Sequence, residues 1–297
     1  MSCIIHKLQF HTATQQCIML QWSVDQVYKT QEDTFTIYLL SYDEQYDKYT
    51  EKMSWKRTLK INDGTILYDC YEFIPTGIYV IRVENKTNSC EVRVIVPALA
   101  ILSTGGSCFL VDGRSVGLNS NGWYVITNHH ALPTFEHALS TNVTFNDVIV
   151  TNLRPDIFWK TSTNKGDIGL DYSCIAVDEA TKQRLLEMKI YPNPIINQPK
   201  ECEKNLMLIH RPRYANQVLH TVCRVVAHKK VKTQYDYLGP ASGGGSSGSP
   251  VFGVDTNTRK VGVCGLHKAR FTCVNLPNII ADICKVNADI VTFFNIQ

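Results

Sequence analysis

From Cys17 onward the chain is a succession of short β-type segments broken by turn residues, and that texture excludes helical bundles, coiled coils and fibrous repeats. Up to Val96 the segments are Cys17–Trp22, Thr34–Tyr42, Trp55–Ile61, Ile66–Phe73, Gly77–Val83 and Cys90–Val96. Several alternate apolar and polar residues, as in Tyr79-Val80-Ile81-Arg82-Val83, the period of a strand with one buried face. Turn signals such as Asn62-Asp63-Gly64 and Pro75-Thr76-Gly77 separate them.

Six or seven such strands predict a small antiparallel β-sandwich over residues 1–97, of immunoglobulin or fibronectin-III type. After Pro97 the strands continue but carry glycine-rich inserts, as in Thr104-Gly105-Gly106-Ser107 before Cys108-Phe109-Leu110-Val111. A helix is expected over Asp178–Met188, and another over Asn278–Phe294, where Ile279, Ile280, Ile283, Val286, Ile290 and Phe294 recur mostly at three and four residues. The expectation is an all-β chain: a sandwich, then a double β-barrel over residues 98–297 closed by a C-terminal helix.

Composition narrows the function. With 297 residues, 44% hydrophobic and 19% charged, the chain has room for two globular domains. The longest apolar run, Val94–Leu102, is interrupted by Pro97 and is far shorter than the ~20 residues of a membrane helix. Met1–Leu8 has no apolar stretch of signal-peptide length. Eleven cysteines, an odd number with no C-x-x-C spacing, read as reduced thiols of a cytoplasmic or nuclear protein, and they argue against structural zinc. A net charge of +3 is too mild for a dedicated nucleic-acid binder. The densest basic stretch, His210 to Lys232, reads as a solvated strand edge and hairpin rather than a phosphate site.

Three local patterns carry chemistry. Gly245-Ser246-Ser247-Gly248-Ser249-Pro250 runs directly into the apolar Val251-Phe252-Gly253-Val254, which a flexible linker has no reason to do. A serine nucleophile needs such a tight turn, with backbone N–H groups nearby to hold an oxyanion. Trp123–Thr127 is a strand that ends in Asn128-His129-His130, and an imidazole on a rigid element is the base that serine requires. Gly166-Asp167-Ile168-Gly169-Leu170-Asp171 opens the apolar strand Tyr172–Val177, and a carboxylate there could orient the imidazole and fix its tautomer.

The chain order His, Asp, Ser, taken with these motifs, resembles the trypsin-like serine peptidases of the chymotrypsin fold, especially their intracellular HtrA-like branch. The resemblance covers residues 98–297. It matches Gly106-Ser107-Cys108-Phe109 to a family strand and Thr127-Asn128-His129-His130 to the motif that ends in the base, which implies His130. Asp171-Tyr172-Ser173-Cys174-Ile175 fits the carboxylate segment better than Asp167-Ile168-Gly169, so Asp171 is implied, with Asp167 in reserve. Gly245-Ser246-Ser247-Gly248-Ser249-Pro250 implies Ser247 as nucleophile, within hydrogen-bond reach of His130 Nε2, and an oxyanion hole from the N–H groups of Gly245 and Ser247. Ser246 stands where digestive members carry an aspartate that pairs with a new N-terminus, which implies activation by another route.

The same resemblance points to Ala241, Gly265, Leu266 and His267 as substrate-binding positions. Ala241 offers no carboxylate to Lys or Arg, so cleavage after apolar or aromatic residues is expected. His267 complicates this, because viral peptidases of the fold use a histidine on this strand to recognise glutamine. Neither cofactor nor metal is required, and the partners expected are protein or peptide substrates, with a further protein partner open to the sandwich. Two rivals stay open: a catalytically silent pseudo-peptidase acting as a binding scaffold, and an adaptor whose barrel cuts only its own chain.

Overall fold

The computed structural model describes residues 5–13, 17–24, 32–43, 48–60, 66–70, 74–84, 89–118, 121–145, 148–163, 169–196, 205–215, 218–227, 233–238, 242–255, 257–258 and 260–294. The chain divides into two compact units, Met1–Val96 and Pro97–Gln297. The division falls where Pro97 splits the long apolar run, ending one strand at Val96 and delaying the next to Leu99.

The first unit consists of antiparallel strands β1 (Ile5–Ala13), β2 (Cys17–Val24), β3 (Glu32–Asp43), β4 (Lys48–Lys60), β5 (Ile66–Cys70), β6 (Gly77–Glu84) and β7 (Ser89–Val96). They form a three-stranded sheet, β1-β2-β5, and a four-stranded sheet, β4-β3-β6-β7, with β1 lying against β7. Pairing of Ile37 with Val83 and Leu39 with Ile81 lines up one fully buried apolar face, as the alternation predicted. The sequence reading missed β1, because His6, Lys7, Gln9 and His11 leave it little apolar character.

The second unit opens with β8 (Leu99–Leu102), β9 (Ser107–Asp112), β10 (Trp123–Thr127), α1 (Phe135–Ser140), β11 (Asn142–Phe145), β12 (Val148–Asn152), β13 (Arg154–Ser162) and β14 (Tyr172–Val177). These strands form a seven-stranded sheet in the order β12-β11-β8-β9-β10-β14-β13. In a flat sheet the outer strands would lie ~29 Å apart, six spacings of ~4.8 Å. Yet β12 and β13 are joined by Leu153 alone, which spans at most ~7.6 Å between flanking Cα atoms. The sheet therefore curls until its edges approach at one end. All of Trp123–Thr127 and Tyr172–Val177 is buried, so β10 and β14 are held on both faces. Helix α2 (Glu179–Glu187) falls within the expected Asp178–Met188, capped by the Asp178 carboxylate accepting from the Thr181 N–H at 2.7 Å.

Strands β15 (Asn205–His210), β16 (Leu219–Ala227), β17 (Gln234–Leu238), β18 (Pro250–Val254), β19 (Val261–Ala269) and β20 (Thr272–Asn275) close into a barrel, β15-β16-β17-β20-β19-β18. Its core includes Leu206, Leu208, Cys223, Tyr237, Val251, Cys264 and Cys273. Helix α3 (Leu276–Phe294) follows, and Asp282 on it accepts a 2.8 Å hydrogen bond from the Tyr172 hydroxyl of β14. Cys90, Cys108, Cys174, Cys223, Cys264, Cys273 and Cys284 form no disulfide, and no described helix is long and apolar enough to cross a membrane.

Candidate active site

His130 sits in the turn after β10, and Asp171 immediately before β14, the strand paired with β10. The Asp171 carboxylate accepts from the His130 backbone N–H at 3.1 Å and from His130 Nδ1 at 2.8 Å. One carboxyl group thus fixes both the main chain and the ring of the same residue. Asp171 is fully buried while the His130 side chain is 47% exposed, so the imidazole presents its Nε2 edge outward. With Nδ1–H committed to the carboxylate, Nε2 is the free base.

Backbone geometry explains why Asp171 holds this place. Gly169 and Asp171 both adopt left-handed conformations, φ +47° and +43°, making a sharp turn that delivers the carboxylate beneath His130. Asp tolerates that region better than most residues, and Asn128 Nδ2 secures the turn by donating to the Asp171 carbonyl at 3.1 Å. The reserve candidate, Asp167, lies outside the described residues. His129 turns the other way: its Nδ1 meets the Thr161 hydroxyl at 2.8 Å, and Thr161 donates on to the Tyr172 carbonyl at 2.9 Å. The two adjacent histidines have separate tasks, one facing Asp171 and the other pinning the turn to β13.

The serine loop is clamped from the first sheet. Ser107 at the start of β9 donates its N–H to the Ser247 carbonyl at 2.8 Å and its hydroxyl to the Gly245 carbonyl at 2.8 Å. The Thr127 hydroxyl at the end of β10 donates to the Ser107 carbonyl at 2.7 Å, linking the strand that bears His130 to the loop that bears Ser247. A Cβ on Gly248 (φ +90°) would lie 1.9 Å from that carbonyl and 2.6 Å from Thr127 Oγ1, so only glycine fits. A Cβ on Gly106 would touch the Ala131 methyl at 3.1 Å and the Ser247 carbonyl at 3.6 Å. The residue after His130 is thereby placed beside the Ser247 main chain.

Within the loop, the Gly244 carbonyl accepts from the Arg213 N–H at 2.7 Å, and the Gly245 carbonyl is held by Ser107. In a trans peptide the N–H points opposite its carbonyl, so these contacts fix the direction of the Gly245 and Ser246 N–H groups. The Ser246 N–H closes on the Gly243 carbonyl at 3.2 Å. Among the described residues, the N–H groups of Gly245 and Ser247, on either side of Ser246, meet no acceptor and are left as open donors.

The Ser247 hydroxyl departs from expectation. It donates to the Lys268 carbonyl at 2.9 Å, and a His130–Ser247 hydrogen bond is not formed. Staggered serine rotamers differ only by a turn about Cα–Cβ, and the Lys268 contact fixes one of them. Lys268 itself is half-buried beside Asp171: burial lowers its ammonium pKa and the carboxylate charge raises it, with burial the larger effect.

The substrate-binding positions fare unevenly. Ala241 lies outside the described residues, as do Lys229, Lys230 and Lys232 of the basic stretch. Gly265 pairs with Val251 and Asn275, and Leu266 with Pro250 and Val274, so both belong to the barrel wall. The more exposed end of β19 begins two residues later, at Lys268, although its last residue, Ala269, still pairs with Thr272 of β20. His267 is 1% exposed, its Nδ1 hydrogen-bonded to the Tyr237 hydroxyl. Burial, reinforced by His210 and His130, pushes its imidazole down to about 3.

One residue escaped the sequence reading. His210, which closes β15, is 2% exposed and joins Ser246 Oγ at 2.8 Å and Thr221 Oγ1 at 3.0 Å, and burial pushes it down to about 4. Counted only as the start of a basic stretch, it is a neutral buried strut for the residue before Ser247. Its position at the end of the apolar Leu206-Met207-Leu208-Ile209 was the available signal. No protein-family model matches this chain, and no curated protein matches its sequence.

Proposed function

We propose that the chain is a serine endopeptidase of the chymotrypsin type, with a double-barrel catalytic domain over residues 98–297 and a β-sandwich before it. The observation that carries this reading is the grip of a buried Asp171 carboxylate on both the N–H and Nδ1 of His130, beside a loop offering Ser247 with two unengaged N–H groups. The curled seven-stranded sheet supports a first barrel, and the two sheets of residues 1–96 support a sandwich. Free cysteines accord with a reducing compartment.

In the proposed reaction, a substrate N–H next to the scissile carbonyl takes over the Lys268 carbonyl and releases the Ser247 hydroxyl. Ser247 rotates toward His130 Nε2, which removes its proton as Oγ bonds to the substrate carbon. The oxyanion is held by the Gly245 and Ser247 N–H groups, and Asp171 stabilises the imidazolium. His130 returns the proton to the leaving amine, and water activated by the same imidazole cleaves the acyl-enzyme. The Ser246–His210 hydrogen bond takes the place of the aspartate salt bridge of digestive relatives, so the loop needs no new N-terminus to hold it.

Besides the apolar or aromatic preference expected from sequence, the His267–Tyr237 pair supports a second reading of specificity. Burial pushes the Tyr237 phenol up, so its hydroxyl stays protonated and donates to the neutral His267 Nδ1, leaving Nε2–H as donor. A neutral donor suits a side-chain amide carbonyl, as in glutamine, and offers nothing to Lys or Arg. Peptide-library profiling decides between the two, and a strong Lys/Arg preference would reject both.

The main test is covalent labelling of the full chain by a fluorophosphonate, with Ser247→Ala as control and circular dichroism to verify folding. Wild-type labelling that vanishes in the variant supports the proposal. Labelling that persists makes another residue the nucleophile. Folded wild-type protein that neither labels nor cleaves added peptides favours the silent scaffold, and a stoichiometric change of mass without turnover favours the self-cutting adaptor.

A further inference from the structure

Ser247 has two unlike flanks. On one lie His267 and Lys268, whose carbonyls accept from the Gly248 N–H at 2.9 Å and from the Ser247 hydroxyl at 2.9 Å. On the other lie Gly245 and the segment after β15, where a cavity of about 340 Å³ opens, bordered by Leu102, Gly105, Thr144, Arg211, Arg213 and Gly245. The acyl half of a substrate, engaged by the Lys268 carbonyl and the N–H pair, occupies the first flank. The chain beyond the scissile bond must then leave along the second, through this cavity.

We propose that the cavity is a subsite for an acidic side chain, Asp or Glu, within the first two residues after the scissile bond, with Arg213 as its specificity-determining residue; the inference rests on the peptidase reading above. Among the described residues that border the cavity none is acidic, whereas two are arginines. Arg213 is held in place from both ends. Its backbone N–H is tied to the Gly244 carbonyl at 2.7 Å. Its guanidinium lies on the bare Cα of Gly105 (φ +95°), where a Cβ would come within 1.9 Å of Nη2. Its side-chain partners among the described residues are the carbonyls of Thr104 and Gly105, each at a long 3.4 Å, and neither neutralises the charge. A carboxylate entering the cavity would meet a fixed planar cation, the arrangement that favours a charge-assisted, two-point contact.

The experiment uses the full chain and peptides that share one acyl half and carry Glu, Gln or Lys at the first or second position after the cut. Glu should exceed Gln about tenfold in kcat/KM at one of these positions, the scale of one charge-assisted hydrogen bond, with Lys below Gln. R213E should reverse the order in favour of Lys, and R213Q, the milder variant should R213E not fold, should bring the Glu to Gln ratio to near one. Equal cutting of the three peptides by the wild type, or a Glu preference that survives in both variants, overturns the subsite and leaves the peptidase standing. If no peptide is cut and the fluorophosphonate does not label, the peptidase reading falls and the subsite with it.

Discussion

The two halves of the candidate site differ in how finished they are. On the base side, His130 and Asp171 already make both of the contacts that a general base needs, and they sit at the ends of paired strands buried on both faces. On the nucleophile side, the loop is clamped by Ser107 and His210, yet the Ser247 hydroxyl points at the Lys268 carbonyl. Rigidity is placed where a buried charge must be kept paired, since an unpartnered carboxylate inside the sheet would be costly. Freedom is left to one rotamer of one small side chain, which costs little to turn. Under the proposed peptidase reading, this contrast is a division of labour: a preorganised base and donors, with a hydroxyl that substrate itself releases.

The sharpest way to break the comparison is Asp171→Asn. The amide keeps the shape but can present its NH2 to Nδ1, which would strand the ring in the wrong tautomer. A loss of about 10⁴ in kcat is expected, with KM little changed, read by steady-state hydrolysis of a peptide that the wild type cuts. A loss of tenfold or less would mean that the base side is not what drives the reaction. Gly248→Ala probes the other side through stability. With its Cβ 1.9 Å from the Ser107 carbonyl and a left-handed φ, it should cost about 3 kcal/mol in chemical denaturation and abolish labelling. A neutral effect would show that the clamp between β9 and the serine loop is dispensable.

The same asymmetry governed what the sequence could reveal. His130, Asp171 and Ser247 stand out as candidates because each sits in a short local pattern whose turn residues have a physical task, such as Gly169 before Asp171 or Gly248 after Ser247. The clamp was not, because Ser107, Thr127 and His210 act on residues 20 to 138 positions away, and nothing local marks those partners. Of the seven-stranded sheet, β9, β10 and β14 were legible as strands, but the other four and the sheet order were not, since β8 pairs with β11 across an intervening pair of strands. The burial of Gly265 to His267 in the barrel wall was not legible, because Val261–Ala269 has no local mark of where β19 becomes exposed. Helix α1 passed unnoticed, as six residues hold too few turns to display a period, although Thr134 caps it.

His210→Gln gives a smaller, more selective effect. It removes the hydrogen bond to Ser246 and loosens the peptide that aims the Gly245 and Ser247 N–H groups, without touching substrate. Because those donors matter most to the oxyanion, kcat should fall about 10- to 100-fold while KM changes less than threefold, and the rate of phosphonate labelling should fall in parallel. Equal changes in kcat and KM, or none, would make His210 a structural residue only. His210→Ala, which also leaves a void, serves as the comparison for packing loss, read by thermal denaturation.

A further effect concerns pH, and it sets the nucleophile side apart thermodynamically. His210 and His267 are held neutral by burial, at about 4 and about 3, whereas in the unfolded chain a histidine binds its proton near ~6.5. The unfolded state therefore carries more protons than the folded state at every pH from about 6.5 down to the folded values, and protonation favours unfolding there. Stability is fully present above about pH 7 and declines as the pH drops, by up to about 1.4 kcal/mol per pH unit for each histidine. Denaturation measured between about pH 5 and 6.5 isolates this slope, because carboxylates titrate mainly nearer ~4. His210→Gln and His267→Gln should each remove about half of it. A slope unchanged in both variants would place the acid sensitivity elsewhere and deny that the loop around Ser247 rests on two uncharged imidazoles.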